Sequence, residues 1–158
     1  MTIEERSPLL LDKQETTMAT TKIKTATAIL LTGLQLAACS ATQDINVAQE
    51  AIVHFHEMMS AGQFEQIYAQ SDDSLKKAAT TEDLTRLLSA VNRKLGAVKN
   101  SESNGWNINF TPSGRSITLR YKTQFEHGTG AETFFYRFPD GKVLLAGYNI
   151  NSNELITN

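Results

Sequence analysis

The sequence has little of several features that mark common classes of protein. One cysteine among 158 residues excludes an internal disulfide framework and a zinc site built from cysteines. Fifteen Lys and Arg against 17 Asp and Glu give a formal charge of -2, so no basic excess points to nucleic acid as a partner. Hydrophobic residues nevertheless make up 41% of the chain and aromatic residues 8%, which is typical of one folded domain.

The N-terminal segment has the pattern of an export signal. Residues 26–36, ATAILLTGLQL, form an uncharged apolar run that is too short to span a bilayer. Lys22 and Lys24 precede the run and supply the positive flank of a signal peptide. We therefore expect residues 1–38 to be a signal peptide.

The first 17 residues fit this signal poorly, because they carry four acidic side chains and only two basic ones. Signal peptides normally begin with a positive region. Starting at Met18 gives MATTKIK before the apolar run, which is a well-proportioned signal. We therefore expect Met18 to be the true start of the protein.

The four residues Leu36-Ala37-Ala38-Cys39 resemble the lipobox of bacterial lipoproteins. The resemblance implies cleavage between Ala38 and Cys39, lipidation of the Cys39 thiol and acylation of the new amino group by a fatty acid such as palmitate. Such chains hold a protein on a membrane, since each buried methylene contributes about 0.8 kcal/mol. Because Ser40 rather than Asp follows the cysteine, the resemblance implies an outer-membrane lipoprotein facing the periplasm.

The mature chain is predicted to begin with a lipidated tether at residues 39–46, followed by a single domain at residues 47–158. Apolar residues in 47–61 fall three and four apart, which predicts one face of a helix. A short helix is predicted near Phe64–Tyr68. A longer helix is predicted over residues 81–95.

The helix over 81–95 has clear signals at both ends. Thr80 or Thr81 can cap its start, and Gly96 ends it. Gly62 is likewise placed to end the first helix. These signals separate the helical half of the domain from the rest.

Beyond Gly96, apolar residues occur at every second position, which predicts half-buried strands. The alternating runs are residues 106–110, 116–125, 133–138 and 143–150. The last two are joined by Pro139-Asp140-Gly141, a strong hairpin signal. The expected fold class is α+β, with N-terminal helices packed on one face of a curved four-stranded antiparallel sheet.

Three segments carry a resemblance to a bacterial family called domain of unknown function 4019. They are residues 58–68 (MMSAGQFEQIY), 93–99 (RKLGAVK) and 130–150 (GAETFFYRFPDGKVLLAGYNI). The resemblance covers roughly residues 48–150. The order and sizes of the elements are also similar to the nuclear transport factor 2-like and cystatin-like folds. The family implies no catalytic residues.

Acid–base chemistry would need a carboxylate in an apolar pocket, where desolvation raises its pKa. Glu132, next to the apolar Phe134–Phe135 pair, is the best-placed candidate, and Glu126 and Asp72 are weaker ones. Three tyrosines are weak candidates for binding a ligand in the same space: Tyr121, Tyr136 and Tyr148.

The competing interpretation of Glu132 is a minor surface pair with Lys122 or Arg120 on the neighbouring strand. We favour this pair, and so we assign no catalytic residue from the sequence.

No metal or other cofactor is predicted. His54 and His56 lie two residues apart on a helix, so their rings face opposite ways, whereas chelation on one helix needs a spacing of four. One ring is expected to face solvent and the other to pack at the helix edge. His127 would have to join from a separate segment, and no carboxylate spacing supports a metal site.

The run Phe134–Phe138 has aromatic residues on both faces of its strand, which we interpret as an inner strand packed on both sides. Phe134, Tyr136 and Phe138 should share one face, and Phe135 and Arg137 the other.

The leading functional prediction is a non-enzymatic lipoprotein of the bacterial cell envelope. Its concave sheet face would bind a small apolar ligand or an unknown envelope protein. One alternative is an enzyme that uses Glu132 as acid or base in a small cavity. Another is an envelope inhibitor or assembly factor that acts through a loop at Glu126–Ala131.

Overall fold

The computed structural model describes residues 42–112 and 114–156. The expected signal peptide, Met18 and the lipobox with Cys39 lie outside these residues. The helices are α1 at residues 42–60, α2 at Phe64–Ala69, α3 at Asp73–Ala78, α4 at Thr81–Leu95 and α5 at Asn153–Ile156. The strands are β1 at Val98–Thr111, β2 at Gly114–Phe125, β3 at Gly128–Arg137 and β4 at Leu144–Asn151.

Helix α1 begins earlier than its apolar spacing predicts. Residues 42–46 were expected to be a tether, but they are helical. Asp44 is buried and forms an ion pair with Arg115 of β2, with 2.9 Å between Oδ2 and Nη1. Ile45 packs against the core. These tertiary contacts stabilise residues 42–46 as an additional turn of α1. The apolar spacing of the sequence gives no information about such contacts.

The end of α1 and both ends of α4 are as predicted. Gly62 lies just after α1 with a positive φ of 70°. Thr80 caps α4 by accepting a hydrogen bond from the Asp83 N–H at 3.2 Å, and the Asp83 side chain returns to Thr80 as a capping box. Gly96 follows α4 with a φ of 76°. The short helices α3 and α5 are additions that the sequence pattern does not predict.

The four strands form one antiparallel sheet in the order β1-β2-β3-β4. Each strand therefore pairs with its neighbour in sequence, as the alternating runs and the Pro139–Gly141 turn predict. The fold class is confirmed as α+β, with helices followed by an open four-stranded antiparallel sheet.

The helices cover one face of the sheet. On that face Phe134, Tyr136 and Phe138 are buried, as their shared parity predicts. Phe55 of α1 meets Phe134 with 5.2 Å between the ring centroids. Each large apolar side chain buried here contributes about 1.5–3 kcal/mol relative to exposure. The core is therefore a single layer between the helices and this face.

The prediction that β3 is packed on both sides is wrong. Phe135 lies on the opposite face of the sheet and remains 36% exposed. No described helix covers that face, because the helical layer packs on the other one.

Strand β1 is longer and more exposed than predicted. It begins at Val98 rather than at residue 106, since its polar first half is held by backbone pairing with β2. Trp106 is 52% exposed and Phe110 is 65% exposed. Both side chains lie on an edge strand, so the expected half-burial of this run is found only at Ile108.

The segment Glu126–Ala131 is not the free loop that was expected. Residues 128–131 belong to β3, and the turn at 126–127 is held against the end of α4. The Glu126 N–H donates to the Ala97 carbonyl at 3.0 Å, and the His127 N–H donates to the Leu95 carbonyl at 2.9 Å. Gly96 has a φ of 76°, and a Cβ there would lie 2.9 Å from the Cβ of Glu126, so this position requires glycine.

Among the helices that the structure describes, none has the length and apolar character needed to cross a membrane.

Candidate functional site

The covered face of the sheet holds a fully buried carboxylate. Glu132 of β3 is 1% exposed and lies opposite Tyr121 of β2 in the strand register. Three side chains from three different elements bind it: His56 of α1, Thr123 of β2 and Tyr148 of β4. We call these four residues the Glu132 cluster.

The expected surface pair of Glu132 with Lys122 or Arg120 is therefore wrong. Both basic residues are exposed and belong to the other face of β2, because side chains alternate along a strand. Glu132, Phe134 and Tyr136 are every second residue of β3 and so lie on the same face of the sheet. The Glu132 side chain therefore lies in the core. Among the described residues, its only possible cationic partner is His56.

Both oxygens of Glu132 are hydrogen-bonded. The Tyr148 hydroxyl donates to Oε1 at 2.7 Å, and Oε2 accepts from the Thr123 hydroxyl. The Nε2 atom of His56 lies 2.9 Å from the same Oε2. Because a carboxylate can only accept, the neutral form of His56 must carry its proton on Nε2, which leaves the lone pair on Nδ1.

A hydroxyl relay extends the cluster toward β1. Thr123 gives its only proton to Glu132, so it must accept the hydrogen bond that joins it to Ser101 Oγ at 2.8 Å. Ser101 is only half-buried. The relay therefore connects the buried carboxylate to a side chain at the edge of the core.

The tyrosine of the cluster is kept protonated by its surroundings. Burial raises the pKa of Tyr148 well above 10.0, and the adjacent charge of Glu132 raises it further. The Tyr148 ring packs 4.9 Å from Phe55 and 5.2 Å from Phe134, measured between centroids. The Tyr148 hydroxyl is thus a hydrogen-bond donor whose position is held by aromatic packing.

One cleft beside α1 reaches the Glu132 cluster. This α1–β1 cleft has a volume of about 430 Å³, and its lining includes Gln49, His56, Ser101 and Tyr121. His56 is 8% exposed, and its Nδ1 makes no hydrogen bond within the described part of the chain. A molecule in this cleft would meet an imidazole whose other nitrogen is held by a buried carboxylate.

A second cleft lies on the other side of α1 and is more apolar. This apolar cleft has a volume of about 320 Å³. Its apolar lining includes Ala51, Phe55, Met58, Ile67, Tyr136 and Leu145, and exposed polar residues such as Gln70 also contribute. Phe55 separates the apolar cleft from the Glu132 cluster, since it lines the cleft and contacts the Tyr148 ring.

The three candidate tyrosines therefore have different positions. Tyr148 binds Glu132, whereas Tyr121 lies beside Gln49 and Ser103 and lines the α1–β1 cleft. Tyr136 lines the apolar cleft, and its hydroxyl has no hydrogen-bond partner among residues 42–112 and 114–156. Burial raises the pKa of Tyr136, so this hydroxyl stays neutral.

The other candidate carboxylates have structural roles. Asp72 caps α3 by accepting from the Ser74 N–H at 2.8 Å, and it pairs with Arg137. Burial acts to raise the pKa of Asp72, but the bonds from Ser74 and the charge of Arg137 outweigh it and lower the pKa. Glu126 accepts from the Ala97 N–H at 3.1 Å.

The histidines form no metal site in the described ranges, where no cluster of three or more metal-ligating side chains exists. His54 is exposed, whereas His56 is buried and bonded to Glu132, so the two rings face opposite ways as the spacing of two predicts.

The chain belongs to the family described as protein of unknown function (DUF4019), which matches residues 52–148. The matched range contains all four residues of the Glu132 cluster. No curated protein matches the chain.

Replacing Tyr148 by Phe should destabilise the domain by about 1–3 kcal/mol, because Glu132 Oε1 is left buried without a donor. Replacing Tyr136 by Phe is the matched control, and it should change the free energy of unfolding by less than about 0.5 kcal/mol, since its hydroxyl has no hydrogen-bond partner among the described residues. Urea unfolding of the two variants measures both values. Equal losses would show that the Tyr148–Glu132 bond contributes nothing specific.

Proposed function

We propose that this protein is a bacterial lipoprotein anchored to the cell envelope by acyl chains on Cys39, with residues 1–38 removed as a signal peptide. The support is the sequence Leu36-Ala37-Ala38-Cys39 directly after the apolar run at 26–36. Ser40 supports the outer membrane as its location, with the domain facing the periplasm. Helices followed by a four-stranded meander support a fold of the nuclear transport factor 2-like or cystatin-like type.

Lipidation predicts a specific mass for the mature protein. Expressed in a bacterium that processes lipoproteins, the wild-type chain should begin at Cys39 and carry acyl chains there, and it should incorporate a labelled palmitate analogue. The Cys39→Ala variant should incorporate none and should keep residues 1–38. A wild-type protein with an unmodified Cys39 thiol would contradict the proposal.

We further propose that the domain is a binding module whose ligand is a small apolar molecule held in the apolar cleft. The observation that carries this proposal is the Tyr136 hydroxyl, which lines a mainly apolar cleft of about 320 Å³ without a hydrogen-bond partner in the described residues. Sites for small molecules commonly combine an apolar lining with a few placed polar groups. Tyr136 would orient the one polar group of such a ligand.

Filling the apolar cleft should weaken this binding. Native mass spectrometry of the soluble domain, residues 40–158, exported without the lipid anchor and purified gently from a periplasm, should show a fixed mass excess that is lost on denaturation. Ala51→Phe adds a ring to the cleft lining and should weaken binding about tenfold or more, the effect of losing roughly 1.4 kcal/mol of contact. Ala78→Phe, on the exposed side of α3, is the control and should bind like the wild type.

The fluorescent probe N-phenyl-1-naphthylamine gives a second measurement of the same cleft. Its emission should rise with the wild-type protein and with Ala78→Phe, and it should rise much less with Ala51→Phe at the same probe concentration. Equal probe binding and equal mass excess in all three proteins would place the ligand elsewhere.

A second candidate function is acid–base catalysis in the α1–β1 cleft, and the Glu132 cluster is the observation that favours it. Glu132 is fully buried, so it would act as a positioning residue rather than touch a substrate. It fixes the tautomer of His56, which lines the cleft and would be the general base through Nδ1. A carboxylate–imidazole pair of this kind also stabilises the imidazolium that forms when a proton is taken up.

Hydrolysis of the reactive ester p-nitrophenyl acetate measures this candidate directly. His56→Gln should remove the protein-catalysed rate and its dependence on pH, because the imidazole that pairs with the buried Glu132 carboxylate is lost. His54→Gln is the matched control on the same helix and should keep the wild-type rate. A rate that does not change in His56→Gln would exclude His56 as a base.

A further inference from the structure

The distance between the proposed lipid anchor and the domain is very short. Only Ser40 and Ala41 separate Cys39 from residue 42, which already belongs to α1. An extended chain advances at most about 3.6 Å per residue, so the Cα of residue 42 lies within roughly 11 Å of the Cα of Cys39. If Cys39 is lipidated, which is part of the proposed function, the start of α1 must therefore lie at the membrane surface.

Contacts of Asp44 identify the end of the domain that surrounds the start of α1. Asp44 pairs with Arg115, the second residue of β2, at 2.9 Å. The Arg115 carbonyl accepts from the Phe138 N–H at 3.1 Å, and the Arg115 guanidinium lies 5.6 Å from the centre of the Phe138 ring. The start of β2 and the segment after β3 thus lie beside the start of α1. We call this part of the molecule the anchored end.

An exposed aromatic row begins at the anchored end. Phe110 lies directly opposite Arg115 in the β1–β2 register and is 65% exposed. Trp106, which is 52% exposed, continues the row on the same face of β1, and the half-buried Ile108 lies between Trp106 and Phe110. Strand β1 is an edge strand, so no further strand of the described sheet lies beyond the row.

The opposite end of the domain is far from this row. Helix α5 contacts the start of β3, where a Cβ on Gly128 would meet the Glu154 side chain. Strand β2 runs from the anchored end toward this region, and its 12 residues span about 36–40 Å. Ile156 of α5 is 77% exposed there. The two ends therefore offer exposed apolar side chains at very different distances from the start of α1.

We propose that the anchored end rests on the lipid bilayer, with Phe110 inserted among the acyl chains and Trp106 at the headgroup level. The acyl chains hold the start of α1 at the surface, and the aromatic row is the apolar feature next to that point. Aromatic side chains, Trp above all, favour the membrane interface because their rings are apolar and their edges polar. The row would thereby fix the orientation of the domain on the membrane.

Quenching by brominated lipid tests this orientation. The acylated protein is placed in vesicles of phosphatidylethanolamine and phosphatidylglycerol that contain brominated phosphatidylcholine, which quenches tryptophan only within the bilayer. Trp106 is the one tryptophan of the chain, so the wild type needs no label. Two variants carry the probe elsewhere in a Trp106→Phe background: Phe110→Trp at the anchored end and Ile156→Trp at the opposite end.

We expect quenching to be strongest for Phe110→Trp, at least twofold, weaker for the wild type, and absent for Ile156→Trp. Circular dichroism of each variant verifies that the fold is retained. The mass of Cys39 in the same preparation separates the two proposals. Acylated protein in which no probe is quenched would overturn the membrane contact and leave the lipoprotein proposal intact. Protein without acyl chains would overturn both.

Two further results would overturn the membrane contact. Equal quenching of Phe110→Trp and Ile156→Trp would show that the anchor does not fix the orientation. A dimeric mass together with unquenched Trp106 would show that the row pairs with a second copy of the chain through the edge of β1.

Discussion

The packing of this domain depends on satisfying one buried carboxylate. An isolated carboxylate in an apolar core costs far more free energy than a whole domain has to spare. Glu132 avoids this penalty because α1, β2 and β4 each supply one partner for its two oxygens. Each partner has to reach the same point in the core. The carboxylate thus constrains the position of three elements around β3.

This constraint acts most strongly on strand register. Glu132 lies opposite Tyr121 and Ile150 on the neighbouring strands. A slip of one residue would turn Glu132 to the uncovered face and bring Thr133 into the core, since side chains alternate along a strand. The apolar residues of β3 require the same register, because Phe134 and Tyr136 share the parity of Glu132. Polar and apolar requirements therefore agree, which is typical of a sequence that specifies one fold.

Helix α1 gives the two clefts different chemistry. His56 projects from α1 toward the Glu132 cluster and lines the α1–β1 cleft, whereas the adjacent Phe55 lines the apolar cleft. Because consecutive helical residues differ by about 100° in direction, one helix can supply a polar group to one side and an aromatic wall to the other. The carboxylate thus lies behind both clefts and is open to neither. The anchored end adds a third feature, since the same helix starts where the exposed aromatic row begins.

The sequence by itself determined the order of the main helices and strands, the fold class, the buried face of α1 and which side chains of β3 share a face, because these follow from local periodicity and capping. It also indicated the family and the separation of His54 from His56. Tertiary structure alone decided the surroundings of Glu132. The parity with Phe134 was a signal that Glu132 points inward, but His56, Thr123 and Tyr148 lie 76, 9 and 16 residues away along the chain. The early start of α1 and the exposure of Trp106 and Phe110 were also decided there, since an ion pair and an edge position are properties of the assembled sheet. Periodicity reports which face of an element is apolar, whereas only packing determines what that face meets.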